Sequence, residues 1–235
     1  MSAWSARRFW KDATVHPEMD GFTVHLDARP VRTPLKVPLI LPTQGLAQAV
    51  AAEWQAQTGT VNPATMPFTR TANSAIDTVT PQFDAVADML TAYGETDLLC
   101  YRATGPAALI DRQAAAWDPL LDWAAQALQA PLRVTQGVMH VDQPATSLAA
   151  LGAAVRALSP FQLAAFHDLV AISGSLVLAL AVTRGHLATE EAWTLSRLDE
   201  TWQIELWGTD EEAAEITALK RAAFLQADRF FALCG

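Results

Sequence analysis

The sequence predicts an α+β protein, with a small N-terminal sheet-containing domain followed by a mainly α-helical bundle domain. Its first forty residues hold short alternating apolar runs punctuated by proline and glycine, and from Thr43 the apolar spacing lengthens from two residues to about four. Composition sets the class: 235 residues, 51% hydrophobic and 17% charged, with eight tryptophans spread from Trp4 to Trp207, suit a globular chain. A chain of this length buries roughly 70% of the surface its unfolded form exposes, so it needs no disulfide staple. Cys100 and Cys234 are too few for one in any case, which points to a reducing compartment.

Phe22–Leu26 and Val37–Leu41 read as strands, with Asp27-Ala-Arg-Pro30 as a turn. Thr43 can cap a helix reaching Gln57, along which Leu46, Val50 and Trp54 recur every fourth position, so Trp54 is expected in the core. A loop from Thr58 to Pro67 then separates a β-rich domain with one helix, residues 1–66, from a helical domain, residues 67–235. The helical part is alanine-rich, with breaks expected near Pro81, Gly105-Pro106, Pro131 and Pro144, and short extended pieces at 97–102 and 132–136. Ser159-Pro160 opens a long apolar helix that Gly185 closes, with Gly174 as an interior weak point. Thr209-Asp-Glu-Glu212 is a capping box for a last helix, whose stripe runs Ile216, Leu219, Ala223, Ala227, Phe230.

Between these lies the most informative stretch, Thr189 to Gly208, which reads as one helix capped by Thr189 and stopped by Gly208. At about 100° per residue, Leu195, Leu198, Trp202 and Leu206 share one stripe, while Trp193, Ile204 and Trp207 gather opposite with Glu200 among them. Such a helix needs two partners. Either both are internal, with Glu200 neutralised by Arg197 one turn earlier, or one face waits for another protein.

The chemistry of most enzymes is missing. The histidines at 16, 25, 140, 167 and 186 never take the spacing that puts metal ligands on one helix face, and no phosphate-cradling or dinucleotide glycine motif is present, so no metal or cofactor is expected. His25 and Asp27 point the same way if both lie on a strand, but a triad lacks its third member. Ser173-Gly-Ser175 suits close helix packing better than a nucleophile elbow, and Cys100 reads as a core thiol. Asp199 and Glu200 diverge by about 100° on a helix, so they make a poor acid–base pair. A hydrolase using His25 or Asp199 is the minor alternative.

The net charge of −9 argues against nucleic acid, and it is uneven: residues 1–36 carry six Lys/Arg against four Asp/Glu, whereas 37–235 carry ten against twenty-one. A basic protein surface is a compatible partner for the acidic helical bulk. The longest apolar run, Leu176–Val182, is far short of the roughly 20 residues a membrane span needs, so no membrane insertion is expected. Met1–Trp10 has no signal-like apolar core. A bacterial cytoplasm is the expected compartment, or the mitochondrial matrix for a trimmed eukaryotic form.

Taken in order, six runs resemble the assembly chaperone of the F-type ATP synthase catalytic head, the family of mitochondria and related bacteria that holds the free alpha subunit. They are Gly21-Phe-Thr-Val-His-Leu-Asp-Ala-Arg-Pro-Val-Arg-Thr-Pro34; Ala52-Glu-Trp-Gln-Ala-Gln57; Met66-Pro-Phe-Thr69 with Asn73 and Ile76-Asp77; Asp97-Leu-Leu-Cys-Tyr-Arg102; Trp117-Asp-Pro-Leu120 with Trp123; and Arg197-Leu-Asp-Glu200 with Trp207-Gly208. The resemblance implies the same two-part fold and a non-catalytic role: covering the alpha subunit until the beta subunit replaces it, with the chaperone monomeric beforehand. It also implies a critical carboxylate in the Arg-Leu-acid-acid segment, carried over to Asp199 or Glu200, and some importance for Trp54. The chain departs from the family pattern at Thr201 and at Thr209–Glu212. The expected partner-binding residues are Glu200, Asp199, Trp193, Ile204 and Trp207. Glu200 leads because it sits among the aromatic and apolar ones, while Asp199 borders the Leu195 stripe.

Overall fold

The structure, a computed structural model, describes residues 7–235, so most of the segment searched above for a targeting signal lies outside it. The chain forms two compact units. One takes the chain up to Phe83 with residues 160–165 and 229–235; the other takes 84–159 and 166–228. Residue 66, the expected boundary, falls inside the first unit.

In the first unit β1 (Ala13–Glu18), β2 (Gly21–Leu26) and β3 (Arg29–Pro30) make an antiparallel sheet in that order, with Val15 opposite Val24. Val24 and Leu26 bury against α1 (Gln44–Ala56), whose Leu46 and Val50 share their core. Thr43 caps α1 as expected, its hydroxyl accepting the Leu46 N–H at 3.2 Å. Trp54 is only partly buried and meets Trp10 edge-on at 5.4 Å.

Val37–Leu41 does not form the expected strand. Among the described residues it makes isolated bridges, Leu41 to Phe22 of β2 and Pro38 to Arg32 beyond β3. Pro38 has no N–H to give a ladder, and Pro34 and Pro42 bracket the run. The Leu41 carbonyl passes Gly21 so closely that a Cβ there would sit 2.3 Å from the oxygen, which explains the glycine. Asp27 turns the chain at φ +53°, its carboxylate accepting the N–H groups of Lys11 and Asp12 at 3.0 Å each. Those bonds, Asp12's foremost, hold its pKa below the usual carboxylate value. Asp27 is therefore a turn anchor off the strand, while His25 stacks on His16 at 4.1 Å, so the His25–Asp27 dyad does not form.

Glu53 joins α1 to α2 (Pro67–Ser74). Its carboxylate accepts from the Phe68 N–H at 2.7 Å, the Thr69 N–H at 2.8 Å and the Thr69 hydroxyl at 2.7 Å, satisfying open amides of a helix whose N-cap residue, Met66, makes no side-chain capping bond. Burial nevertheless pushes its pKa up. Pro81 changes helical pitch without ending the run: a π turn over Ala75–Val79 and a 3₁₀ turn over Thr80–Gln82 lead into α3 (Phe83–Thr91).

The second unit is helical apart from β4 (Tyr101–Arg102) and β5 (Thr135–Gln136), a parallel pair inside the two stretches expected to be extended. Its α-helices are α3 but for Phe83, α4 (Ala107–Ala127), α5 (Ala145–Arg156), the greater part of α6 (Pro160–Ser173), α7 (Leu176–Thr183), α8 (Thr189–Ser196), α9 (Leu198–Trp207) and most of α10 (Glu211–Ala232). The long helix expected from 160 to 185 is two helices, broken at Gly174 with φ +73°. Buried groups supply the freed amides: Ser175 Oγ accepts the Leu178 N–H at 3.0 Å, and Asp97 accepts from Ser175 Oγ at 2.7 Å, the Val177 N–H at 3.0 Å and the Leu99 N–H at 3.0 Å. Burial raises the Asp97 pKa despite these donors. Cys100 is buried as expected, its thiol pushed up to about 12 by desolvation. Every residue of Leu176–Val182 is buried.

Candidate functional site

The stretch from Thr189 to Gly208 is two helices, not one. Arg197 leaves the helix at φ −111°, ψ 18°, its N–H reaching back only to Thr194 at 3.1 Å. The carbonyls released by the break find other donors, Leu195 taking the Trp117 indole N–H at 3.1 Å and Trp193 taking the Ser196 hydroxyl at 2.7 Å. At the far end Gly208 stops α9 at φ +87°, as expected. Thr189 is not the cap. It is the first helical residue, and its hydroxyl donates to Asp228 at 2.5 Å.

Arg197 organises what lies around it. Its guanidinium lies 5.5 Å over the Trp193 ring, donates to the Ile172 carbonyl at 3.4 Å and pairs with Glu200 at 2.9 Å. Trp193 is buried and packs on Phe224 with ring centroids 5.9 Å apart, so it supports the site from within and is absent from its surface. The internal ion pair considered for Glu200 therefore exists, yet Glu200 keeps 55% of its side chain exposed.

α9 has an inner and an outer face. Leu198 buries inward, Trp202 sits 6.0 Å from the Arg112 guanidinium of α4, and Glu205 pairs with Arg112 through two bonds of 2.6 and 2.9 Å. That pairing holds the Glu205 pKa low. At the inner edge Asp199 accepts the Gln113 side-chain amide at 2.7 Å, while Gln113 accepts the Ala103 N–H at 2.8 Å. The outer face carries Glu200, Ile204 and Trp207 at i, i+4 and i+7, one stripe of a helix. Ile204 is 47% and Trp207 77% exposed, and Leu206, expected on the internal stripe, is exposed as well.

Exposure continues beyond α9: every residue from Gln203 to Ala223 is exposed. Asp210, not Thr209, caps α10, accepting the N–H groups of Glu212 at 2.9 Å and Ala213 at 3.3 Å. The expected α10 stripe is core only in its second half, where Ala227 and Phe230 are buried; Ile216 and Leu219 lie in solvent. Between Arg197 and Lys220 the chain has seven acidic residues and no Lys or Arg. An acid-rich surface with large exposed apolar side chains shares these features with protein-interaction surfaces.

Residues 7–125 match the family described as ATP12 chaperone protein, just over half of the chain. The chain belongs to the ATP12 chaperone family. Its role is that of a chaperone in assembly of the F-type ATP synthase, as the six runs imply. The crystal structure of Atp12 from Paracoccus denitrificans is 54% identical, with a TM-score of 0.95 over 98% of this chain and 99% of that one. A mutant of the same protein with one aspartate changed to lysine is 53% identical, with a TM-score of 0.95 over 98% of each chain. Protein atp12, mitochondrial, from Schizosaccharomyces pombe is 27% identical across 90% of this chain and 77% of its own length. Relatives thus occur in mitochondria and in bacteria. Among the described residues no helix is long and apolar enough to cross a membrane.

The Arg112–Glu205 and Gln113–Asp199 contacts were invisible to local sequence reading, because the partners are 93 and 86 positions apart. The stretch after Arg197, seven acids without a Lys or Arg as far as Leu219, was a usable signal for extending the site into α10.

Proposed function

We propose that this chaperone holds the free alpha subunit of the ATP synthase catalytic head on the outer face of α9 and keeps it from aggregating until the beta subunit takes its place. The observation that carries this reading is the stripe of Glu200, Ile204 and Trp207, a carboxylate beside two large apolar side chains that the described residues leave exposed. An alpha subunit alone exposes apolar faces that it later buries against beta, and such faces aggregate. Trp207 has the size and exposure of an interface anchor, and Glu200 supplies a charge for a cationic neighbour. Asp199 is a positioning residue, fixing α9 through Gln113, and Trp193 acts through Arg197 to orient Glu200. The role is binding and release without catalysis, by a monomer with no cofactor and no affinity for nucleic acid. Identity of 53–54% to the Paracoccus proteins against 27% to the mitochondrial one favours a bacterial cytoplasm.

Calorimetric titration of purified alpha subunit tests the reading. Glu200→Lys should lose most of its affinity, since truncating one partner of a buried interfacial charge pair already costs about 2–5 kcal/mol. Glu191→Lys, at the exposed start of α8, should bind nearly normally; Glu190 makes a poorer control because it pairs with Arg221. The Arg197–Glu200 pair is exposed enough that its loss should cost only about 0–1 kcal/mol of stability, so circular dichroism should show a folded variant. Full binding by folded Glu200→Lys would remove α9 from the interface.

A further inference from the structure

Among the described residues, the first half of α10 buries no face and is tied to the rest of its unit by the ion pair of Arg221 with Glu190. From Glu211 to Ala223 no residue is buried, whereas Phe224, Ala227 and Phe230 beyond it are core. Its helical form has local causes: the Asp210 cap, acids in the first turn, and alanine-rich sequence continuing into the anchored half. Short helices sustained by such terms alone are marginal in water. Glu211 and Glu215 repel one another at i, i+4, which weakens it further. Even so, Ile216 and Leu219, the latter 72% exposed, continue outward the stripe that is core at Ala227 and Phe230. Gly208, at φ +87° with open space around it, joins this arm to the Trp207 end of α9.

We propose that residues 209–223 are a client-capturing arm, a second docking element that packs its Ile216–Leu219 face onto an apolar, Lys/Arg-rimmed surface of the protein held at α9. This rests on the reading of α9 as the client site and extends it to a bipartite grip. Charge selects the occupant. From Leu198 to Leu219 the arm and α9 present seven acids and no base, and of the two bases that close the arm, Lys220 and Arg221, the second is paired with Glu190. A second copy of this chain would bring the same acids against them, and an anionic lipid surface would repel them. A client surface of apolar side chains edged by cations satisfies both features at once.

The test uses the full-length chain and purified alpha subunit. Hydrogen exchange of the 209–223 amides should be fast in the free chaperone and slow at least tenfold when the client is added. The double variant Ile216→Asp, Leu219→Asp should keep the melting temperature and lose at least tenfold in affinity. Unchanged exchange and full affinity of the double variant, while Glu200→Lys and Trp207→Ala lose binding, would overturn the arm and leave the α9 site standing. Full affinity in all of these variants would overturn both. A dimer in light scattering that the double variant abolishes, or wild-type binding to phosphatidylglycerol vesicles that it abolishes, would assign the face to another occupant and overturn the arm.

Discussion

α7 and the stretch from Gln203 to Ala223 belong to the same compact unit and are both rich in helix, yet Leu176–Val182 is buried throughout and 203–223 is exposed throughout. α7 is apolar on every side, so any orientation buries something and the unit can close around it. The 203–223 stretch sets Ile204, Trp207, Ile216 and Leu219 among acids, so burying one face inside the unit would leave charges to be desolvated. Apolar content alone does not say where a helix ends up. What decides is whether its remaining faces tolerate loss of water, and a helix that fails that condition is available to a partner.

If α7 holds stability and 203–223 holds recognition, substitutions should separate the two. The largest effect is expected at Leu178, which is fully buried. Leu178→Ala should cost about 2–5 kcal/mol in urea denaturation, and a variant as stable as the parent would break the contrast.

Asp97 comes next. Asn in its place keeps the shape but presents an amide where the carboxylate now accepts from two backbone N–H groups and a hydroxyl, an expected loss of about 1–3 kcal/mol near neutral pH. Because burial raises the folded-state pKa of Asp97, the folded protein holds that proton to higher pH than the unfolded chain does. Its protonation-linked stability is thus complete below the unfolded value of about 3.9 and is lost as pH rises through the folded one. Parent-minus-variant stability should accordingly shrink with rising pH; denaturant midpoints across an acid-to-neutral series that showed it widening would refute the assignment. Glu53, also raised, is common to both proteins and cancels.

The smallest stability effect belongs to Trp207. Trp207→Ala should move stability by no more than about 0.5 kcal/mol while weakening the client complex by about 2 kcal/mol, read by thermal unfolding and calorimetry on the same sample. A large drop in melting temperature would place Trp207 with α7 and collapse the comparison.

Three features were local and so were legible without coordinates: the Thr43 cap, the Gly208 stop, and the weak point at Gly174, which proved to be a full break. Each depends on groups within a few positions of one another. The order and spacing of the six runs carried the family for the same reason, since they can be read along the chain. Trp193 and Trp207 show where such reading ends. Both were placed on one face, yet one is buried against Phe224 and the other is 77% exposed. The helix that should have aligned them breaks at Arg197, and the Leu195 carbonyl it leaves is met by an indole 78 positions earlier. By itself the sequence determined where most of the helical segments lie and several of the caps and glycines that punctuate them, because these follow from interactions spanning about one turn. Only the tertiary structure decided which faces are covered and which carboxylate is held inward, because burial and pairing are set by partners far away in the chain.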